Sequence, residues 1–447
     1  VRISFAWTLG LSLLCLNVVA AAPPAELTIT GDWSVKVIVP AHDGQPEKSA
    51  EIQIDPPQIV TVTAEKYTNL PVFNPAAPGY ARGAHLKGVE AQEVTTPHLL
   101  DPESLVVRTG QKDTDELLVR GKDYESDLSW GNLGRLEGGK IDPKQPVYAS
   151  YKHNQLRLDT IVLTPAGDIK YRPGQPAAGS PQAPELASGE RRLANIWLPG
   201  KVAKLTDDNL FPILETKYPA PPASTPSIAE QRIPKTMAKL RSGEPVKILA
   251  WGDSVTDGRY LPEYAQNRWQ ARFVDQLKER FPQAKIELVT EAWGGRNTAT
   301  YLAVPPGEPH NYAETVLAVK PDLIVSEFVN DAGLKPADVE TRYSKFLADF
   351  QGMGSEWIIL TPHYVRPDWM GLTKEKGIDQ DPRPYVTGLR EFSEKHNVAL
   401  ADASLRYGRL WRQGLPYSTL MSNSINHPDP TGMLIFVDAL MELFPER

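Results

Sequence analysis

From residue 245 onward, short apolar runs alternate with longer stretches of helical spacing, and this alternation restricts the fold more than any other feature. The runs are 246–250, 286–289, 323–325, 357–360 and 398–401. Between and after them, residues 263–280, 311–319, 339–350, 385–396 and 432–444 repeat their apolar positions at helical intervals. Strands separated by one or two dozen helical residues cannot pair as tight hairpins, so crossover connections set them parallel. A parallel sheet buries both faces, and runs such as Val246, Ile248, Leu249 and Ala250 suit that position. The expected fold is therefore an α/β three-layer sandwich with a mostly parallel five-stranded sheet. Its strands deliver their carboxyl ends to one rim, where ligands bind in such folds.

The preceding half has a different character. Residues 27–29, 35–39, 59–62, 106–107 and 148–163 read as short strands, with dense turn residues such as Gly131-Asn132 and Gly138-Gly139 between them. An all-β domain, sandwich or barrel, is expected there. Residues 173–226 are rich in Pro, Ala, Gly and Ser and read as a linker. Within them, 193–198 is apolar and suits an extra strand or a docking segment. Ser227 and Glu230 then form a capping box that opens a helix running to about Leu240. The expected division is a leader at 1–22, a β-rich accessory domain at 23–172, the linker at 173–226 and the α/β domain at 227–447.

Residues 1–22 have the pattern of a secretory signal, with Arg2, an apolar run at 9–19 and Ala20-Ala21-Ala22 for cleavage. Pro23 and Pro24 follow instead of a basic stop, which argues against stable membrane insertion. The only cysteine, Cys15, lies in that segment. Leu14 before it is bulky where a lipid-attachment signal wants a small residue. Without the segment the chain has no thiol, which excludes disulfides, cysteine nucleophiles and cysteine-ligated zinc. The expected location is secreted or periplasmic. A formal net charge of -7 with no Lys/Arg block excludes nucleic acid as a partner.

The polar blocks of the second half cluster after the strands. Gly252-Asp253-Ser254 follows the first, Gly294-Gly295-Arg296-Asn297 the second and Asn330-Asp331 the third, while His427-Pro428 precedes the last helix. On a shared rim, Ser254 and His427 meet despite their distance in sequence. A serine hydroxyl needs a neighbouring base to become a nucleophile, and His427 is that candidate. An oxyanion needs donors, for which a glycine-turn amide, the Asn330 side chain and the serine's own amide are candidates. Asp253 suits the role of fixing its turn through amide hydrogen bonds. The aspartates are not spaced as a metal cage, and neither metal nor cofactor is expected.

These four blocks resemble the SGNH hydrolase superfamily, the GDSL-like lipases and esterases, over about residues 244–444. The resemblance implies Ser254 as nucleophile, Gly295 and Asn330 as oxyanion donors and His427 as base. Two positions depart from the family pattern. Phe328 stands where glycine is usual. Ser424 stands three residues before His427, where the family has its acid. Asp402, Asp429 and Ser424 are the candidates for orienting the histidine, with Asn423 or a backbone carbonyl as further possibilities. His363, after the fourth strand, is a candidate substrate contact.

The resemblance implies an ester hydrolase. Related two-domain enzymes often remove acetyl groups from polysaccharides, so an acetylated carbohydrate is the expected substrate, with other small esters open. Two alternatives stand beside it: an esterase or lipase on small or lipid esters, and a non-catalytic carbohydrate-binding protein with a degenerate hydrolase fold. Tyr124, Trp130, Tyr148, Tyr151 and His153 suit either a sugar-binding surface or the packing of the β domain. Residues 366–383, with Trp369, Met370 and Leu372 among charges, suit a carbohydrate cleft. Oligomeric state does not follow from the sequence.

Overall fold

The computed structural model describes residues 22–445. The leader-like segment through Ala21, Cys15 included, lies outside the described residues. The C-terminal half is a five-stranded parallel sheet: β1 (Pro245–Gly252), β2 (Lys285–Ala292), β3 (Leu323–Glu327), β4 (Glu356–Leu360) and β5 (Ala399–Ala401). They lie in the order β2-β1-β3-β4-β5, every neighbouring pair parallel. The chain leaves β1 for β2 on one side and returns to β3 on the other. The topological switch point therefore lies between β1 and β3, where such sheets open a crevice.

Alternate residues of β1 enter different cores. Val246, Ile248 and Ala250 pack with Trp269, Phe273, Phe436 and Leu440 on one face. Leu249 and Trp251 pack with Tyr343, Phe346, Phe350 and Leu389 on the other. Trp251 is wholly buried, with Phe328 at 4.8 Å and Phe346 at 5.0 Å in edge contact. This explains the departure at Phe328: its ring fills the aromatic layer beneath the site and also meets Tyr301.

The helices keep their expected places, with breaks set by local chemistry. The Ser227 capping box forms in both directions, 3.2 and 2.7 Å. Its helix, however, ends at Arg232 and restarts at Pro234, because proline has no amide to continue the ladder. Asn311 to Val319 holds only a single wide turn, Ala313–Leu317. Among the described residues no helix is long and apolar enough to cross a membrane.

The first half is a set of small antiparallel sheets. Tyr124 and Tyr151 are core residues, and buried His153 bonds the Asn154 carbonyl at 2.9 Å, so these three pack the β region. The apolar piece at 193–198 is a strand: Arg191–Pro199 pairs with Leu156–Leu163 and then with Leu210–Pro212. Its side chains from Leu193 to Leu198 are buried, which a linker could not satisfy. The β region thus extends through Pro212, and Asn195 donates to the Gly414 carbonyl at 2.7 Å, tying it to the α/β half. A short hairpin, Glu90–Ala91 paired with Val94–Thr95, projects from this region towards the sheet's rim.

Gly252 ends β1 where nothing larger fits, because a Cβ there would run into the Glu327 carbonyl oxygen and Thr256 Oγ1. Gly252→Ala is expected to destabilise the fold by about 1–3 kcal/mol, read as a lower urea midpoint.

Candidate active site

Asp253 sits at the first position after β1 and has no exposed surface. Its Oδ1 accepts the Val255 amide at 3.1 Å, which caps the short helix Ser254–Asp257. Its Oδ2 accepts both the backbone and the side-chain amide of Asn330, each at 2.9 Å. Burial pushes the Asp253 carboxyl up to about 7, against the pull of the amide donors. One carboxylate thus joins the ends of β1 and β3 and points the Asn330 amide, whose second N–H is left for another acceptor.

A second carboxylate joins β3 to the glycine loop. Asp331 accepts from Thr298 Oγ1 at 2.7 Å and from Arg342 at 3.4 Å. Asn297 caps the helix Thr298–Ala303 through the Thr300 amide, 3.0 Å. Between them the loop passes Ser254: a Cβ on Gly294 would lie 3.7 Å from the Ser254 Cβ. Gly295 adopts a left-handed φ of 70° with open space in front of it. The loop's outer side carries Trp293, stacked on His310 at 4.6 Å and covered by Arg296.

Ser254 begins its helix, so its hydroxyl points out of the sheet's end. His427 Nε2 lies 3.2 Å from Ser254 Oγ. The histidine loop is built by Asn423, whose Oδ1 accepts the amides of Ile425, Asn426 and His427 at 3.0, 2.9 and 2.9 Å. The His427 ring stacks on Tyr260, 4.1 Å between centroids and 8° from parallel. Burial lowers its pKa below 6.5, with the nearby Glu93 acting in the opposite sense.

The groups expected to orient His427 are elsewhere. Asp402 caps Ala403–Tyr407 and is held by Arg390 at 2.8 Å and Thr361 at 3.0 Å. Asp429 caps the last helix and accepts from Ser180 at 2.7 Å and Gln182 at 3.1 Å. Ser424, at a left-handed φ of 56°, has its hydroxyl 2.8 Å from Thr96 Oγ1. Nδ1 of His427 instead faces the tip of the 90–95 hairpin. Gln92 Oε1 lies at 3.0 Å and Glu93 Oε1 at 3.1 Å. Nothing in the spacing of Gln92 and Glu93 marked them, since the approach joins residues 335 positions apart.

His363 does not reach the rim. It is wholly buried against Tyr407 and Phe436, and burial with the nearby Arg383 drives its pKa well below 6.5, so it is a neutral core residue. Glu327, also wholly buried, is held well above the usual carboxylate range by burial and the Asp253 charge. Among the described residues no group of three or more His, Cys, Asp or Glu is gathered for a metal.

Residues 250–435 match the model of the GDSL-like Lipase/Acylhydrolase family, so the C-terminal half of the chain matches that family. A search of curated proteins finds no match. Solved structures with a similar fold include Axe2, an acetylxylan esterase from Geobacillus stearothermophilus, at 19% identity and TM-score 0.36. That likeness covers 45% of this chain and 95% of the other. A two-domain esterase active on acetylated mannans aligns at 16% identity and TM-score 0.38, covering 47% and 52%. LAE5, an alpha/beta hydrolase enzyme from the metagenome of Lake Arreo, Spain, aligns at 20% identity and TM-score 0.35, covering 44% and 93%.

Asp253→Ala would leave three N–H groups without their acceptor, at about 1–3 kcal/mol each where they stay buried. The expected result is a lower melting temperature together with lost turnover. Asp253→Asn, which keeps one carbonyl oxygen, should recover much of the stability.

Proposed function

We propose that this protein is an exported serine esterase that removes acetyl groups from a carbohydrate through Ser254 and His427. The observation that carries the reading is the 3.2 Å approach of His427 Nε2 to Ser254 Oγ at the sheet's switch point. The Gln92 oxygen at Nδ1 keeps the proton on that nitrogen and leaves the Nε2 lone pair facing the hydroxyl. His427 takes the Ser254 proton as Oγ attacks the ester carbonyl. The amides of Ser254 and Gly295 and the second N–H of Asn330 hold the oxyanion. His427 then protonates the leaving alcohol, and water, activated by the same nitrogen, releases the acid from Ser254. The leader-like pattern at 1–22 supports export.

The rim beside the histidine loop supports a sugar as the alcohol part. Arg366, whose amide bonds the Ile425 carbonyl at 2.8 Å, lies over Trp130 at 4.8 Å and Trp369 at 5.9 Å. Tyr80 approaches the same two rings at 5.6 and 6.4 Å, and Trp369 is 49% exposed. The cluster draws on both halves of the chain, and its half-exposed Trp369 offers an aromatic ring bordered by a cation, which suits a pyranose ring better than an acyl chain.

The direct test is acetate release from acetylated polysaccharides and short p-nitrophenyl esters. Ser254→Ala should abolish both with the melting temperature unchanged, and near-normal activity there would sink the assignment. Higher rates on long acyl chains than on acetyl would favour the lipase alternative. Asn330→Ala should lower kcat by about 10²–10³-fold. Trp369→Ala should raise KM for the polymer while leaving p-nitrophenyl acetate unaffected. Because His427 must be neutral to act, kcat/KM should fall as pH drops through its pKa, with the midpoint below 6.5.

A further inference from the structure

We infer that the group orienting the catalytic histidine comes from the β region: Glu93, at the tip of the 90–95 hairpin, is the positioning residue for His427. The inference rests on the esterase reading above and concerns how its base is held. Glu93 Oε1 stands 3.1 Å from Nδ1, and Gln92 Oε1 stands 3.0 Å from the same nitrogen. Gln92 Oε1 is the hydrogen-bonded acceptor that selects the tautomer with the proton on Nδ1, while Glu93 stands beside the ring at ion-pairing distance. When His427 takes the Ser254 proton it becomes an imidazolium. The Glu93 carboxylate then faces a full positive charge, which the neutral Gln92 cannot match.

The hairpin is built to stay in this place. Gln92 adopts a left-handed φ of 57°, a conformation that costs a non-glycine residue energy and that functional tips tend to store. Thr96, just past the hairpin, bonds both the Ala178 carbonyl and Ser424 Oγ. Gly179 is wedged between the two, since a Cβ there would come within 2.8 Å of Ala91 Cβ and 2.9 Å of the Ser422 carbonyl. Ser180 continues the seam to the Thr419 carbonyl and Asp429. The residue at the position where an acid is missing, Ser424, therefore contacts the element that brings a carboxylate to the ring. A small side chain there admits the hairpin, and a carboxylate at 424 would face Thr96.

Charged and titratable groups around the ring are few. Tyr260 stacks on it, and His363 lies beneath with Arg383 beyond. Asp429 is turned to Ser180 and Gln182. Glu93 is the one whose carboxylate reaches Nδ1 among the described residues.

The test uses the full chain and p-nitrophenyl acetate. Glu93→Gln should lower kcat by about 10- to 100-fold, less than for a fully buried acid because Glu93 is half-exposed. KM and melting temperature should hold. The acid limb of kcat/KM should move to lower pH, because the charge that raises the His427 pKa is gone. Glu93→Asp, which keeps the charge, should recover part of the rate, and Gln92→Ala should lose less than Glu93→Gln. A Glu93→Gln enzyme with wild-type kcat and an unmoved limb overturns the inference. So does a loss confined to Gln92→Ala. Either result alongside an inactive Ser254→Ala leaves the esterase reading standing. Activity in Ser254→Ala removes both.

Discussion

A carboxylate with no exposed surface must be surrounded by donors, and at Asp253 that requirement organises the rim of the sheet. Its acceptors are taken by Val255 and by both amides of Asn330, so the turn after β1 and the turn after β3 are one hydrogen-bonded unit. Asp331 repeats the device one loop further, binding Thr298 and Arg342. Desolvating two carboxylates is costly, and amide bonds offset it only if the loops hold their places. The rigidity that sets Ser254, the glycine loop and Asn330 around one point is the same rigidity that keeps these two groups satisfied.

The histidine is held by a different logic. His427 belongs to a loop before the last helix, shaped by the three amides that converge on Asn423. Its ring is fixed on one face by Tyr260 and on one edge by Ser254. The remaining nitrogen looks out of the α/β half altogether, to a hairpin of the β region. That region therefore does more than accompany the hydrolase fold. It covers the back of His427 and, through Trp130 and Tyr80, contributes half of the aromatic cluster beside it.

Much of this was legible beforehand. The five strands and their parallel order follow from apolar runs separated by helical periods, because crossover length and two-sided burial leave few alternatives. The serine, glycine and asparagine blocks could be placed because turn residues after parallel strands share one rim. Single-residue chemistry also showed, as at the Ser227 capping box. Where the reading stopped, the cause was a competing contact. His363 has the same strand-end position as the site residues, yet its ring turns into the core against Tyr407 and Phe436. Residues 193–198, which suited either an extra strand or a docking segment, pair as a strand, since their apolar side chains find a sheet on the β side.

The sequence alone thus determined the sheet, its rim and the place of Ser254 on it, because periodicity and turn chemistry act over neighbouring residues. It also showed that the usual acid was missing, Ser424 standing in its place. What meets Nδ1 of His427 was decided only by the tertiary structure. Gln92 and Glu93 reach it through a hairpin whose direction depends on Thr96, Gly179 and Ser424 packing across the two halves of the chain. Such a contact leaves no period or spacing behind, because it is fixed by how two surfaces distant in sequence fit.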